Sequence, residues 1–195
     1  ERAVALIQFV EDGESFICSG GLVNDTVEGS FIPYFITAKH CFNLPSVART
    51  VEAFWDYKPA YCGGMPPALG SVPRTNGATL LGSSFLGDLT FLQLESVPSN
   101  RFFLGWDTRT TSIAPGTKLH RISHPLGEVQ HYQQTEIEEV DDTCWGLPTP
   151  AFIYQRQLAG GTAGGSSGAP AILDAGHIVG QLEGDCGGTR VGSCE

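Results

Sequence analysis

Twenty-five glycines and twelve prolines cut this chain of 195 residues into short runs, and no run between them carries a helical period long enough to bury a face. What remains between the breaks is rich in β-branched and aromatic residues. Residues 3–10, 15–23, 32–37, 51–57, 79–85, 89–94, 118–123, 132–139, 151–157, 169–173 and 177–183 read as strands. An all-β fold follows. Six of these runs precede the polar, proline-bearing stretch 97–101 and five follow it, so that stretch reads as a hinge. The expected architecture is two antiparallel six-stranded-type β-barrels, residues 1–97 and 98–195, facing each other across a cleft. The Pro/Gly-rich residues 62–77 read as a surface loop.

At 41% hydrophobic residues the chain has ample material for a buried core. Its formal net charge of −10 disfavours nucleic-acid backbones and anionic membranes as partners and would draw cationic peptides. No apolar run reaches membrane-spanning length. Glu1-Arg2-Ala3-Val4 lacks the basic-then-apolar layout of a signal peptide, so the chain reads as mature, after removal of a leader and pro-segment. Six cysteines against one methionine fit an oxidising compartment, and secretion as a monomer is the expectation. No CxxC pair and no His-Glu-x-x-His spacing is present. Disulfides are therefore expected, with no metal and no cofactor.

Three segments carry chemistry. In Gly164-Gly165-Ser166-Ser167-Gly168-Ala169-Pro170, small residues surround a hydroxyl that suits a serine nucleophile on a tight turn. The Gly165 and Ser167 amides would then hold the oxyanion. In Phe35-Ile36-Thr37-Ala38-Lys39-His40-Cys41, an apolar strand delivers a histidine, the candidate general base. In Gly87-Asp88-Leu89-Thr90-Phe91-Leu92, an acid opens an alternating strand, and Asp88 is the candidate to orient His40. A carboxylate fixes the imidazole tautomer and stabilises the imidazolium formed when the base takes the serine proton. Taken singly, His40 fits a packed core residue, Asp88 a turn former and Ser167 a loop hydroxyl. Their joint occurrence points to acyl transfer.

The order His40, Asp88, Ser167 with these flanks resembles the chymotrypsin-fold serine endopeptidases, and within them the lysyl endopeptidase branch. The likeness extends to Phe54-Trp55-Asp56-Tyr57, Leu104-Gly105-Trp106-Asp107, His124-Pro125 and Val179-Gly180-Gln181-Leu182. It implies a first barrel with base and acid and a second with the nucleophile. It also implies a substrate cleft lined by Gln181, Leu182, Glu183 and Gly184, and a Cys18–Cys41 disulfide bracing the histidine loop. Closing that 23-residue loop contributes about 3 kcal/mol. Cys62, Cys144, Cys186 and Cys194 allow three pairings. Ser166 stands where trypsin-like enzymes carry an aspartate for the new N-terminus, so no buried Glu1 ammonium is expected. Relatives continue beyond the equivalent of Glu195, and the second barrel is expected to be completed by 192–195 or by a segment cut away. Trp106 reads as a core anchor.

Three functions are compatible with these residues. One is a secreted serine endopeptidase acting on polypeptides, with a basic P1 preference suggested by Glu183 and Asp185. A second is a non-peptidase serine hydrolase such as an esterase, and a third is a silent protease-fold binding domain.

Overall fold

The computed structural model describes residues 1–139, 146–147, 151–184 and 186. Strands β1 (Val4–Glu11), β2 (Glu14–Val23), β3 (Tyr34–Ala38), β4 (Glu52–Trp55), β5 (Arg74–Asn76), β6 (Ala78–Ser84) and β7 (Leu89–Leu94) form one sheet, in the order β5-β4-β1-β2-β3-β7-β6. A second sheet holds β8 (Gly105–Trp106), β9 (Lys118–Ser123), β10 (His131–Ile137), β11 (Gln155–Gly160), β12 (Pro170–Ile172) and β13 (His177–Gln181), in the order β11-β10-β9-β12-β13-β8. Pairing is antiparallel apart from β13 with β8 and a bridge between Val23 and Leu104. A four-residue helix, α1 (Pro45–Ala48), buries Val47 and Ala48 in the apolar cluster of the first sheet.

Local chemistry explains the first sheet well. Asp12 and Gly13 both adopt positive φ, the conformation of the tight hairpin turn, and β1 and β2 pair from Glu11–Glu14 up to Val4–Gly21. The edge strands β5 and β6 are separated in sequence by Gly77 alone. The sheet must therefore curl until its two ends meet, which closes a barrel. Its interior is an apolar cluster that includes Phe9, Phe35, Trp55 and Leu92. The Trp55 indole is fully buried and donates to Thr75 Oγ1 at 3.0 Å. The second sheet buries a smaller apolar group, Leu119, Ile137 and Ala171. Alternation along β9 turns Leu119, Arg121 and Ser123 inward together, so a guanidinium and a hydroxyl share this interior.

Several expectations are corrected. The polar strand β5 occupies part of the stretch read as loop, held because buried Thr75 accepts from Trp55. β8 is too short to leave a periodic signal. β11 begins at Gln155 rather than 151, where Arg156 pairs with Glu136 and Glu138 in place of apolar contacts. Trp106 is 46% exposed on an edge and anchors no core. Cys18 and Cys41 are joined as the resemblance implied. Cys62 is free and exposed, and Cys186 is disulfide-bonded. Cys144, Cys194, Asp185 and the 192–195 segment lie outside the described residues.

Candidate active site

His40 sits just past β3, where the neighbouring disulfide at Cys41 and the Thr37 hydroxyl bond to the Ser19 carbonyl (2.9 Å) tie the strand end to β2. Asp88 lies in the turn before β7 at φ +46°, a left-handed conformation that aspartate tolerates better than most side chains. The turn aims the carboxylate at the histidine. Oδ1 accepts the His40 backbone N–H at 2.8 Å, and Oδ2 meets Nδ1 at 2.7 Å. An ionised carboxylate only accepts, so Nδ1 carries the proton and Nε2 is left as the basic nitrogen. The Asp88 carbonyl accepts from Lys39 N–H (2.7 Å) and from Gln181 Nε2 (2.7 Å).

The hydrogen bond to Asp88 raises the His40 pKa above its ordinary value. Burial opposes this, and the charges of Asp88 and Glu183 add to it. Glu183 itself is pushed up, chiefly by burial. Donor atoms of His40, Asp88 and Glu183 lie within 4.8 Å of one another, the group among the described residues able to offer three metal ligands. His40 Nδ1 and Asp88 Oδ2 are already engaged with each other.

The loop bearing Ser167, the candidate nucleophile, is fastened to the same junction from the other sheet. Ser167 is half-buried, and its carbonyl accepts from Ser19 N–H at 2.8 Å. Gly168 N–H donates to the Leu182 carbonyl at 2.8 Å, and Leu182 N–H returns to Ala169. Gly168 has φ +82°, and a Cβ there would fall 2.3 Å from Thr37 Oγ1 and 2.5 Å from the Ser19 carbonyl. That position excludes every side chain and brings the loop against the strand that leads into His40. Ser166, fully buried, points inward to Ser123 Oγ at 3.1 Å. The Gly165 and Ser167 amides donate to no described group, and the Ser167 hydroxyl makes no hydrogen bond among the described residues.

Of the residues expected to line the cleft, Gln181 donates from its amide to Asp88, Leu182 bonds through its backbone to Gly168 and Ala169, and Glu183 lies beside His40 and Asp88. Gly184 is exposed. The sequence reading missed Ser19, which bonds both sheets. Nothing in Cys18-Ser19-Gly20-Gly21 marks it, because its partners lie 105 and 146 residues away.

This architecture is the chymotrypsin-like double β-barrel of serine proteases. The HtrA-type protease AlgW with tripeptide superposes with a TM-score of 0.61 at 23% identity, over 92% of this chain and 50% of that one. The serine endoprotease from Yersinia pestis gives 0.58 at 18%, over 92% and 53%. Residues 1–193 match the lysyl endopeptidase C-terminal domain, and the chain belongs to that family. Lysyl endopeptidase of Pseudomonas aeruginosa is 31% identical over 187 residues, which are 93% of this chain and 39% of that protein. The chain thus spans between two-fifths and about half of these relatives.

Proposed function

We propose that this domain is a secreted serine endopeptidase in which Ser167, His40 and Asp88 form the catalytic triad. The observation that carries the reading is the 2.7 Å contact from His40 Nδ1 to Asp88 Oδ2, which leaves Nε2 basic, while the loop that bears Ser167 packs against Thr37 and Ala38 just before His40. Ser167 Oγ attacks the peptide carbonyl as its proton passes to Nε2. The resulting oxyanion is held by the Gly165 and Ser167 amides, and the imidazolium by Asp88. The imidazolium then returns its proton to the leaving amine, giving an acyl-enzyme. Water, deprotonated by His40, hydrolyses that ester and restores the serine. A hydrogen bond between Ser167 and Nε2 is often long in a free enzyme and tightens with substrate.

Secretion is supported by the Cys18–Cys41 disulfide. A basic P1 preference rests on the family and on the Glu183 charge beside the site. Glu183→Gln should weaken cleavage after Lys and Arg more than after apolar residues if that charge meets the P1 side chain. Turnover of matched peptide and ester substrates by wild type and Ser167→Ala tests the whole reading. Cleavage of the peptide, reduced on the order of 10⁶-fold in kcat by the substitution, is expected. Turnover of esters alone would favour the esterase, and retained activity in Ser167→Ala would overturn the nucleophile.

A further inference from the structure

The Gly165 N–H can serve an oxyanion only if the peptides on either side of it are held in one orientation. Both are held from outside their own loop. The Gly164 carbonyl accepts from Leu126 N–H at 2.6 Å, and the Gly165 carbonyl accepts from Ser19 Oγ at 2.9 Å. The same Ser19 hydroxyl accepts the His124 N–H at 2.9 Å. His124 N–H can only donate, so the single hydroxyl proton of Ser19 must go to Gly165.

Every polar group of Ser19 is engaged in this junction. Its N–H donates to the Ser167 carbonyl at 2.8 Å, its carbonyl accepts from Thr37 Oγ1 at 2.9 Å, and the residue is 0% exposed. Its backbone is part of β2, next to the disulfide-bonded Cys18, so it is anchored by the first sheet. Leu126 reaches Gly164 from the turn after β9, where it adopts φ +56°. A non-glycine residue held there is strained and persists only when its surroundings fix it. Rotating the 164–165 peptide would break the Leu126 bond and turn the Gly165 N–H away. Rotating the 165–166 peptide would leave the Gly165 carbonyl buried without its donor.

We infer that Ser19 is a positioning residue for the oxyanion hole. Its hydroxyl, acting with the Leu126 amide, locks the peptides on both sides of Gly165 so that the N–H is preorganised before substrate arrives. This rests on the assignment of Ser167 as nucleophile.

The test compares Ser19→Ala and Ser19→Thr, with kcat referred to active sites titrated to completion by a fluorophosphonate, so that misfolded chains drop out. Ser19→Ala should lower kcat by roughly 10- to 100-fold, less than the ~10²–10³ of losing an oxyanion donor outright. Its KM and the pH midpoint of its acid limb should stay at wild-type values. A peptide aldehyde, whose adduct carries the oxyanion, should lose affinity by the same factor as kcat/KM. Ser19→Thr, which keeps the hydroxyl, should restore most of the rate. If Ser19→Ala does not fold, Ser19→Cys keeps the size with a weaker donor and carries the same comparison. Wild-type kcat and aldehyde affinity in the variant lacking the hydroxyl would overturn the proposal, as would an equal loss in Ser19→Thr. Ser167→Ala, assayed alongside, separates the two failures. If it is inactive while Ser19→Ala is normal, only the clamp falls; if it is active, the nucleophile assignment falls with it.

Discussion

The first sheet closes around side chains such as Phe9, Phe35, Trp55 and Leu92, all under 3% exposed, whereas the second buries Arg121, Ser123, Gln133 and Thr135 around a few apolar residues. His40 and Asp88 stand on the apolar barrel, and the loop bearing Ser167 rests on the polar one. Histidines of the two regions diverge accordingly. His40, beside Asp88, has its pKa raised, while buried His124 is pushed down to about 4 because burial disfavours its charged form. Dispersion and area hold one half, and buried hydrogen bonds hold the other, where Arg121 Nε and His124 Nε2 have no partner among the described residues. The two halves should therefore respond differently to substitution and to pH.

The largest effect expected on this comparison is catalytic. Asp88→Asn should lower kcat by roughly 10⁴-fold through the wrong imidazole tautomer. Asparagine also tolerates the left-handed backbone at this position, so thermal unfolding should be little changed. A variant with normal kcat would show that the 2.7 Å contact serves structure alone.

Next come the interiors. Trp55→Ala should cost about 3–5 kcal/mol in denaturant unfolding, since it leaves a cavity in the first barrel and removes the indole bond to Thr75. Arg121→Met should change stability by less than about 2 kcal/mol. Relief of a desolvated charge offsets the lost bonds from Nη1 to Gln133 Oε1 and from Nη2 to Gln155 Oε1. Equal costs at the two positions would erase the distinction drawn between the barrels.

Acid should act on the polar half. A histidine whose folded pKa is depressed leaves the unfolded chain binding more protons between about 6.5 and 4, so stability falls as pH drops through that window. The loss attributable to His124 is on the order of 3 kcal/mol. His124→Gln should flatten that part of the stability curve; an unchanged slope would place the acid sensitivity elsewhere.

These contrasts also explain what could be read from the chain. A nearly continuous apolar run made β1 visible, and an alternating strand made β7 visible. Strand β5 is Arg-Thr-Asn and β11 is Gln-Arg-Gln-Leu-Ala-Gly. Both are held by polar contacts that leave no hydrophobic period. At the site, residues whose chemistry is intrinsic stood out: a histidine before a cysteine, an acid before a strand, a serine among glycines. Ser19 and the bond from Gln181 to Asp88 were hidden because their roles come from contacts between distant segments.

The smallest expected effect is on proton affinity. The Glu183 charge is one of the causes that raise His40. Glu183→Gln should shift the acid limb of kcat/KM to lower pH by a fraction of a pH unit to about one. An unshifted limb would separate Glu183 from the base.

The most direct measurement is the rate and site of labelling by a fluorophosphonate across pH 5 to 8, with the adduct mapped by peptide mass. A single adduct on Ser167 is expected. Its rate should rise with pH through an apparent pKa above the ordinary ~6.5 of histidine, because Asp88 and Glu183 favour the charged imidazole and the base must be neutral to act. An adduct on Ser166 or elsewhere, or labelling of Ser167 at a rate independent of pH, would contradict it.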